Sequence, residues 1–154
     1  MNIFYFIMKM SVTDIEYPYL NSVECYHYIS KITNNFRNIP IPTYRLKDKL
    51  IKVDKREYIP YIQKTVLSSP KIYYEKLYVP SKISCKRRDI LSKMMGKNCF
   101  RLYLICRKYN LLMIWYNNST KEFLIFSNNT NSIARALVHL YIDLERFTSS
   151  ENLI

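Results

Sequence analysis

Gly96 is the only glycine among the 154 residues of this chain. A backbone so poor in glycine has few places to turn left-handed, which argues against tight two-residue hairpins and against glycine loops that cradle nucleotide phosphates. The residues around Gly96 are apolar on both sides: Met94-Met95 precede it, and Leu102, Ile105 and Cys106 follow at helical spacing. That pattern predicts helix, tight turn, helix. Ile90-Leu91-Ser92-Lys93 belongs to the first helix, and before it Lys82 to Arg87 alternates polar and apolar like a half-buried strand. After the second helix, Met113-Ile114-Trp115-Tyr116 and Glu122 to Ser127 predict two strands separated by Asn117-Asn118-Ser119-Thr120. A last helix carries Ile133, Ala136, Leu137, Leu140 and Leu144 on one stripe, with a cap expected among Thr130, Asn131 and Ser132 and closure at Phe147.

These residues, from about 75 to 148, resemble the KH (K-homology) RNA-binding module. Its signature is an apolar pair, a Gly-x-x-Gly turn and a helix with apolar residues at fixed offsets. Gly96-Lys97-Asn98-Cys99 looks like that turn, Leu102 and Ile105 like the apolar helix positions, and Tyr109-Asn110 stands where a polar residue and glycine usually close the helix. Val79-Pro80-Ser81-Lys82 also looks like the segment that often opens such modules. Using it requires an insertion before the first helix, so the ungapped reading takes Lys82 to Arg87 as the first strand.

The resemblance implies an α+β fold: a KH-like three-stranded antiparallel sheet with three helices on one face, in the order strand, helix, helix, strand, strand, helix. Residues 1–74 form an N-terminal α/β extension packed against the module, 75–148 the module, and 149–154 a frayed tail. It also implies RNA or single-stranded DNA as the partner. Phosphates would meet Lys93, Lys97 and Arg101 together with the backbone amides from Gly96 through Asn98 to Cys99, and bases would lie against apolar residues such as Ile105, with Lys108 adding charge nearby. Cys99 departs from the family by replacing the second glycine of the turn. A turn still open to backbone favours RNA binding. A closed one favours the alternative, a non-enzymatic scaffolding subunit that binds protein partners.

Charge fits the first of these. The formal net charge is +12, a field that attracts phosphate backbones. Lys82, Lys86, Arg87, Arg88, Lys93, Lys97, Arg101, Arg107 and Lys108 lie in one stretch whose only acid is Asp89. With 49% hydrophobic residues and fifteen tyrosines, the chain has the composition of a folded protein. Richness in Asn, Ile, Lys and Tyr is what AT-rich coding DNA yields, as in a large DNA virus or a protist.

No catalytic constellation, cofactor loop or metal pattern stands out. Cys25, Cys85, Cys99 and Cys106 form no Cys-x-x-Cys pair, and His27 and His139 are widely separated. Reduced thiols in a cytoplasmic compartment are the simplest reading. Cys99, near cations and a helix N-terminus, is the one thiol placed for a lowered pKa, although no base stands beside it in sequence. His139, within an apolar helix, reads as a partly buried core residue.

In the N-terminal half, Met1 to Met10 is apolar but lacks the basic start and cleavage site of a signal peptide and is too short to cross a membrane. It is expected to be a buried strand on the main sheet. Asn21-Ser22 caps a helix running to about Phe36, Tyr44 to Val53 suits either strand or helix, and Glu57 to Ser68 suits a helix with Pro60 in its first turn. On the strands, Met113, Trp115, Leu124 and Phe126 share one face and Ile114, Tyr116, Phe123 and Ile125 the other. Both faces are apolar, so the one without helices needs a cover: residues 1–70 folding back, or else a second copy of the chain. The face expected to take that cover is the one bearing Ile114, Tyr116, Phe123 and Ile125.

Overall fold

The computed structural model describes residues 17–79 and 87–152. The strand expected at Met1–Met10 and most of the one expected at Lys82–Arg87 therefore lie outside the described residues, as does Cys85. The chain is an α+β protein. In order it forms β1 (Tyr19–Leu20), α1 (Ser22–Ile32), β2 (Thr43–Leu46), β3 (Lys49–Lys52), α2 (Lys55–Ser68), β4 (Ile72–Tyr78), α3 (Arg87–Met95), a 3-10 turn at Lys97–Cys99, α4 (Phe100–Tyr109), β5 (Met113–Asn117), β6 (Glu122–Ser127) and α5 (Thr130–Asn152).

Four strands make an antiparallel sheet in the order β1-β4-β6-β5. The strand that enters it ahead of α3 is Ile72–Tyr78, paired from Tyr73↔Ser127 to Tyr78↔Glu122. It ends just before Val79-Pro80, so the opening strand lies upstream of Lys82, and Arg87 already belongs to α3.

Each sheet face carries its own core. Beneath α3, α4 and α5, Ile114, Phe123 and Ile125 pack with Ile90, Met94, Leu102, Ile105, Ile133, Ala136 and Leu140. On the other face, Met113, Leu124, Phe126 and Ile72 pack with Cys25 and Ile29 of α1 and Ile62 and Val66 of α2. The N-terminal half does cover an apolar face, but the assignment is the reverse of the expected one: it covers Met113, Leu124 and Phe126. Alternation sorts residues into two sets, and only the crossings into α4 and α5 decide which set lies under which helices.

Local chemistry explains the boundaries. Asn21 and Glu24 form a capping box at α1, with Glu24 N donating to Asn21 Oδ1 at 2.8 Å and Asn21 N to Glu24 Oε1 at 3.3 Å. The helix ends at Ile32 rather than Phe36, because Thr33 Oγ1 donates to the Ile29 carbonyl at 2.6 Å and accepts from Phe36 N at 3.1 Å. Asn34, Asn35 and Phe36 all take positive φ there, and the turn swings Phe36 into the core. The ambiguous stretch after Thr43 is a β-hairpin with a two-residue turn, Lys47-Asp48, at φ 48° and 66°. Scarcity of glycine did not prevent it, since aspartate tolerates the left-handed region and the paired strands carry the rest.

Asp54 caps α2, accepting from Arg56 N at 2.9 Å. The helix starts at Lys55, so Pro60 lies beyond the first turn, where its missing N–H leaves the Arg56 carbonyl without a helical partner. Asn129 caps α5, accepting from Asn131 N at 2.8 Å and Ser132 N at 3.3 Å, one residue before the expected cap. The helical backbone continues past Phe147 to Asn152, into the stretch expected to fray. No helix among the described residues is long and apolar enough to cross a membrane.

Candidate nucleic-acid interface

The turn between α3 and α4 holds three departures from ordinary backbone. Gly96 has φ 75°, Asn98 φ 52° and Cys99 φ 58°. A Cβ on Gly96 would stand 2.9 Å from Arg101 Cβ and 3.0 Å from Arg101 N, so the position excludes a side chain on two counts. Cys99 adopts the left-handed conformation natural to glycine and carries its side chain regardless, at a cost of about 1–2 kcal/mol. Its thiol is half-buried against the core and does not project at the solvent side of the turn. Lys97 and Asn98 are exposed there.

Beside this turn runs a groove of about 1040 Å³. One wall is formed by Cys99 of the turn with Tyr103, Cys106 and Arg107 of α4, and Trp115 and Tyr116 of β5 also line the groove. The opposite wall comes from the N-terminal half: Pro42, Val53 and, on α2, Tyr58 and Tyr61. Tyr58 meets Tyr103 edge-on at 6.4 Å between ring centroids, and Arg107 Cζ lies 5.9 Å from the Tyr103 ring. Tyr61 is 66% exposed at the rim. The lining thus combines aromatic rings with the Arg107 guanidinium and the Glu57 carboxylate, a surface suited to flat, partly polar groups.

Burial sets the ionisation here. It pushes the Cys106 thiol up to about 12 and raises those of Cys99 and the Tyr58 phenol as well. This reverses the expectation for Cys99: desolvation by burial raises its pKa, and the thiol stays protonated at neutral pH.

The eight residues singled out in sequence fall into separate places. Gly96, Lys97, Asn98 and Cys99 form the turn at the groove, and Lys93 is exposed on α3. Arg101 turns away, its Nη2 2.7 Å from Asp143 Oδ1 on α5, whose side chain is only 3% exposed. Ile105 is buried in the core beneath α4 and offers no surface to a base. Lys108 sits over the Tyr109 ring, its Nζ 5.4 Å from the centroid, and does not line the groove. Sequence reasoning misses Tyr103 and Tyr61 and leaves Arg107 unplaced. Helical spacing carries a signal: 99, 103, 106, 107 and 110 share one face, distinct from the core stripe of 102 and 105 and from 101 and 108.

Asp143 also anchors a second cluster. His139 Nε2 lies 3.5 Å from its Oδ2, and the His139 Nδ1 to Tyr109 hydroxyl distance is 2.8 Å. Burial holds the His139 pKa below its ordinary value against the opposing pull of Asp143. Tyr109, His139, Asp143, Arg135 and Arg146 border a shallow depression of about 560 Å³. Among the described residues no group of His, Cys, Asp and Glu is arranged to hold a metal ion. No protein-family model, curated protein or solved structure matches this chain.

Proposed function

We propose that this protein binds RNA or single-stranded DNA in a KH-like manner, with the backbone turn at Gly96–Cys99 against phosphates and the α4–β5 groove receiving bases. The observation that carries the reading is the Cys99 conformation. The residue where the family has its second glycine adopts a glycine-type backbone and tucks its thiol inward, which leaves the outer side of the turn to Lys97, Asn98 and the backbone. Support also comes from the order β4, α3, α4, β5, β6, α5 around a β4-β6-β5 sheet, the arrangement expected of a KH-like module, and from the aromatic groove beside the turn. Lys97, Lys93 and the amides of Lys97 and Asn98 serve the phosphates, since the Gly96 and Cys99 amides already donate to the Ser92 and Gly96 carbonyls at 2.9 Å and 3.2 Å. Tyr103, Arg107 and Tyr61 replace Ile105 as base-contacting groups, and Arg101, held by Asp143, leaves the phosphate set. No catalytic step is assigned, and the protein acts by binding.

The test places negative charge at the turn. Lys97→Asp with Asn98→Asp acts on two exposed side chains, and aspartate tolerates the positive φ at position 98. Binding of labelled single-stranded oligonucleotides should weaken while the unfolding midpoint holds. The salt dependence should flatten by about 0.7 log units per log unit for each phosphate that the variant no longer neutralises. Wild-type protein that shows no salt-sensitive retention of either RNA or DNA oligonucleotides refutes the reading and leaves the scaffolding alternative.

A further inference from the structure

The N-terminal half does more than cover a sheet face, because one of its elements emerges from the mouth of the groove. The β2–β3 hairpin begins just after Pro42 and ends just before Val53, and both of these residues line the groove. Val53 N donates to the Pro42 carbonyl at 3.0 Å, closing the hairpin at its base. Four residues per strand carry it about 13 Å out. Lys47 at the tip, Lys49 and Lys52 along β3, and Lys55 at the start of α2 are exposed, against two exposed acids, Asp48 and Asp54. The neighbouring Asp54 is already held by Arg56 at 3.4 Å. None of the four lysines takes part in an ion pair among the described residues.

A hairpin with exposed lysines at its tip and along β3, mostly uncompensated and rooted in the wall of a groove lined with aromatic rings, matches one ligand chemistry. That ligand is a polyanion whose bases occupy the groove while its phosphates run on past it. We propose that the β2–β3 hairpin extends the path of the bound single strand beyond the groove, gripping its phosphates through Lys47, Lys49 and Lys52, so that this protein contacts a longer stretch than the turn and groove alone would. The inference rests on the nucleic-acid reading above. It adds a second contact surface, supplied by residues outside the part of the chain that resembles the KH module.

Length dependence separates the two ideas. Full-length protein is titrated against labelled oligouridylate probes of roughly four and roughly twelve nucleotides, the shorter matching what a KH-type groove clamps. Wild type should prefer the long probe. The triple variant Lys47→Glu, Lys49→Glu, Lys52→Glu should lose about tenfold or more on the long probe and less than about threefold on the short one. Its salt slope on the long probe should fall by about 2 log units per log unit, from three phosphates at about 0.7 each. The neutral variant Lys47→Gln, Lys49→Gln, Lys52→Gln should fall between, and an unchanged urea midpoint in both shows that folding is not at issue. Equal losses on both probes would mean that the hairpin acts only through the general field, and an unaffected long probe that it does not touch the strand. Either result overturns the inference while leaving the groove reading intact. Wild type that binds neither probe overturns both.

Discussion

Deleting residues 1–70 is the severest test of how the two halves depend on each other. In the intact chain Ile72, Met113, Leu124 and Phe126 are 0%, 4%, 1% and 0% exposed, and what covers them is α1 and α2. Fully burying one such side chain stabilises by about 1.5–3 kcal/mol, so uncovering four removes roughly 6–12 kcal/mol. That matches the whole net stability of a typical domain, about 5–15 kcal/mol. Fragment 71–154 should therefore associate through the bare sheet face or lack a cooperative transition, as read by light-scattering mass and urea unfolding at several concentrations. A milder variant reports on the same interface within the full chain. Ile29→Ala, at a fully buried position between α1 and the sheet, should lower stability by about 2–5 kcal/mol. A monomeric 71–154 fragment with a sharp urea transition would show that the second face needs no cover and that the reasoning is wrong.

The turn and the half-buried His139 give three further expectations. Gly96→Ala should lower stability by roughly 2 kcal/mol, at about 2–4 °C in Tm per kcal/mol for a chain of this size, from its positive φ and the close approach of Arg101. Cys99→Gly, by contrast, should change it by less than about 1 kcal/mol, since relief of left-handed strain opposes reduced burial and added chain entropy, with oligonucleotide affinity kept or raised; a large drop in stability there would show that the thiol, not the backbone, holds the turn. For His139, the folded pKa lies below the unfolded value of about 6.5, so the unfolded chain takes up the proton first. Its contribution to stability is present above about pH 6.5 and lost as pH falls through the folded value. His139→Gln should flatten the urea midpoint against pH in that window, and an equally steep profile would show that His139 is not the group responsible.

Order along the chain is legible in the sequence because periodicity is a local property. The switch from period 3.6 to period 2 after Asn110, and back after Asn128, marks α4, β5, β6 and α5 whatever they pack against. Gly96 is legible for a similar reason, since a lone glycine between two apolar helices has a backbone cause. What sequence cannot decide is anything set by distant partners. Leu124 and Ile125 are equally apolar, and only the packing of the helices tells which lies under α5 and which under α1 and α2. Arg101 and Arg107 look alike in a basic stretch, yet one is drawn to the buried Asp143 and the other left beside Tyr103, because Asp143 lies 42 positions beyond Arg101 and meets it only after α5 folds back. The cationic neighbours of Cys99 in sequence point to a lowered pKa, but desolvation by the surrounding fold governs its thiol. The chain's own residues determine where most helices and strands begin and end. Which face meets the groove, which charge is cancelled and which thiol is silenced follow from contacts between segments that the sequence keeps far apart.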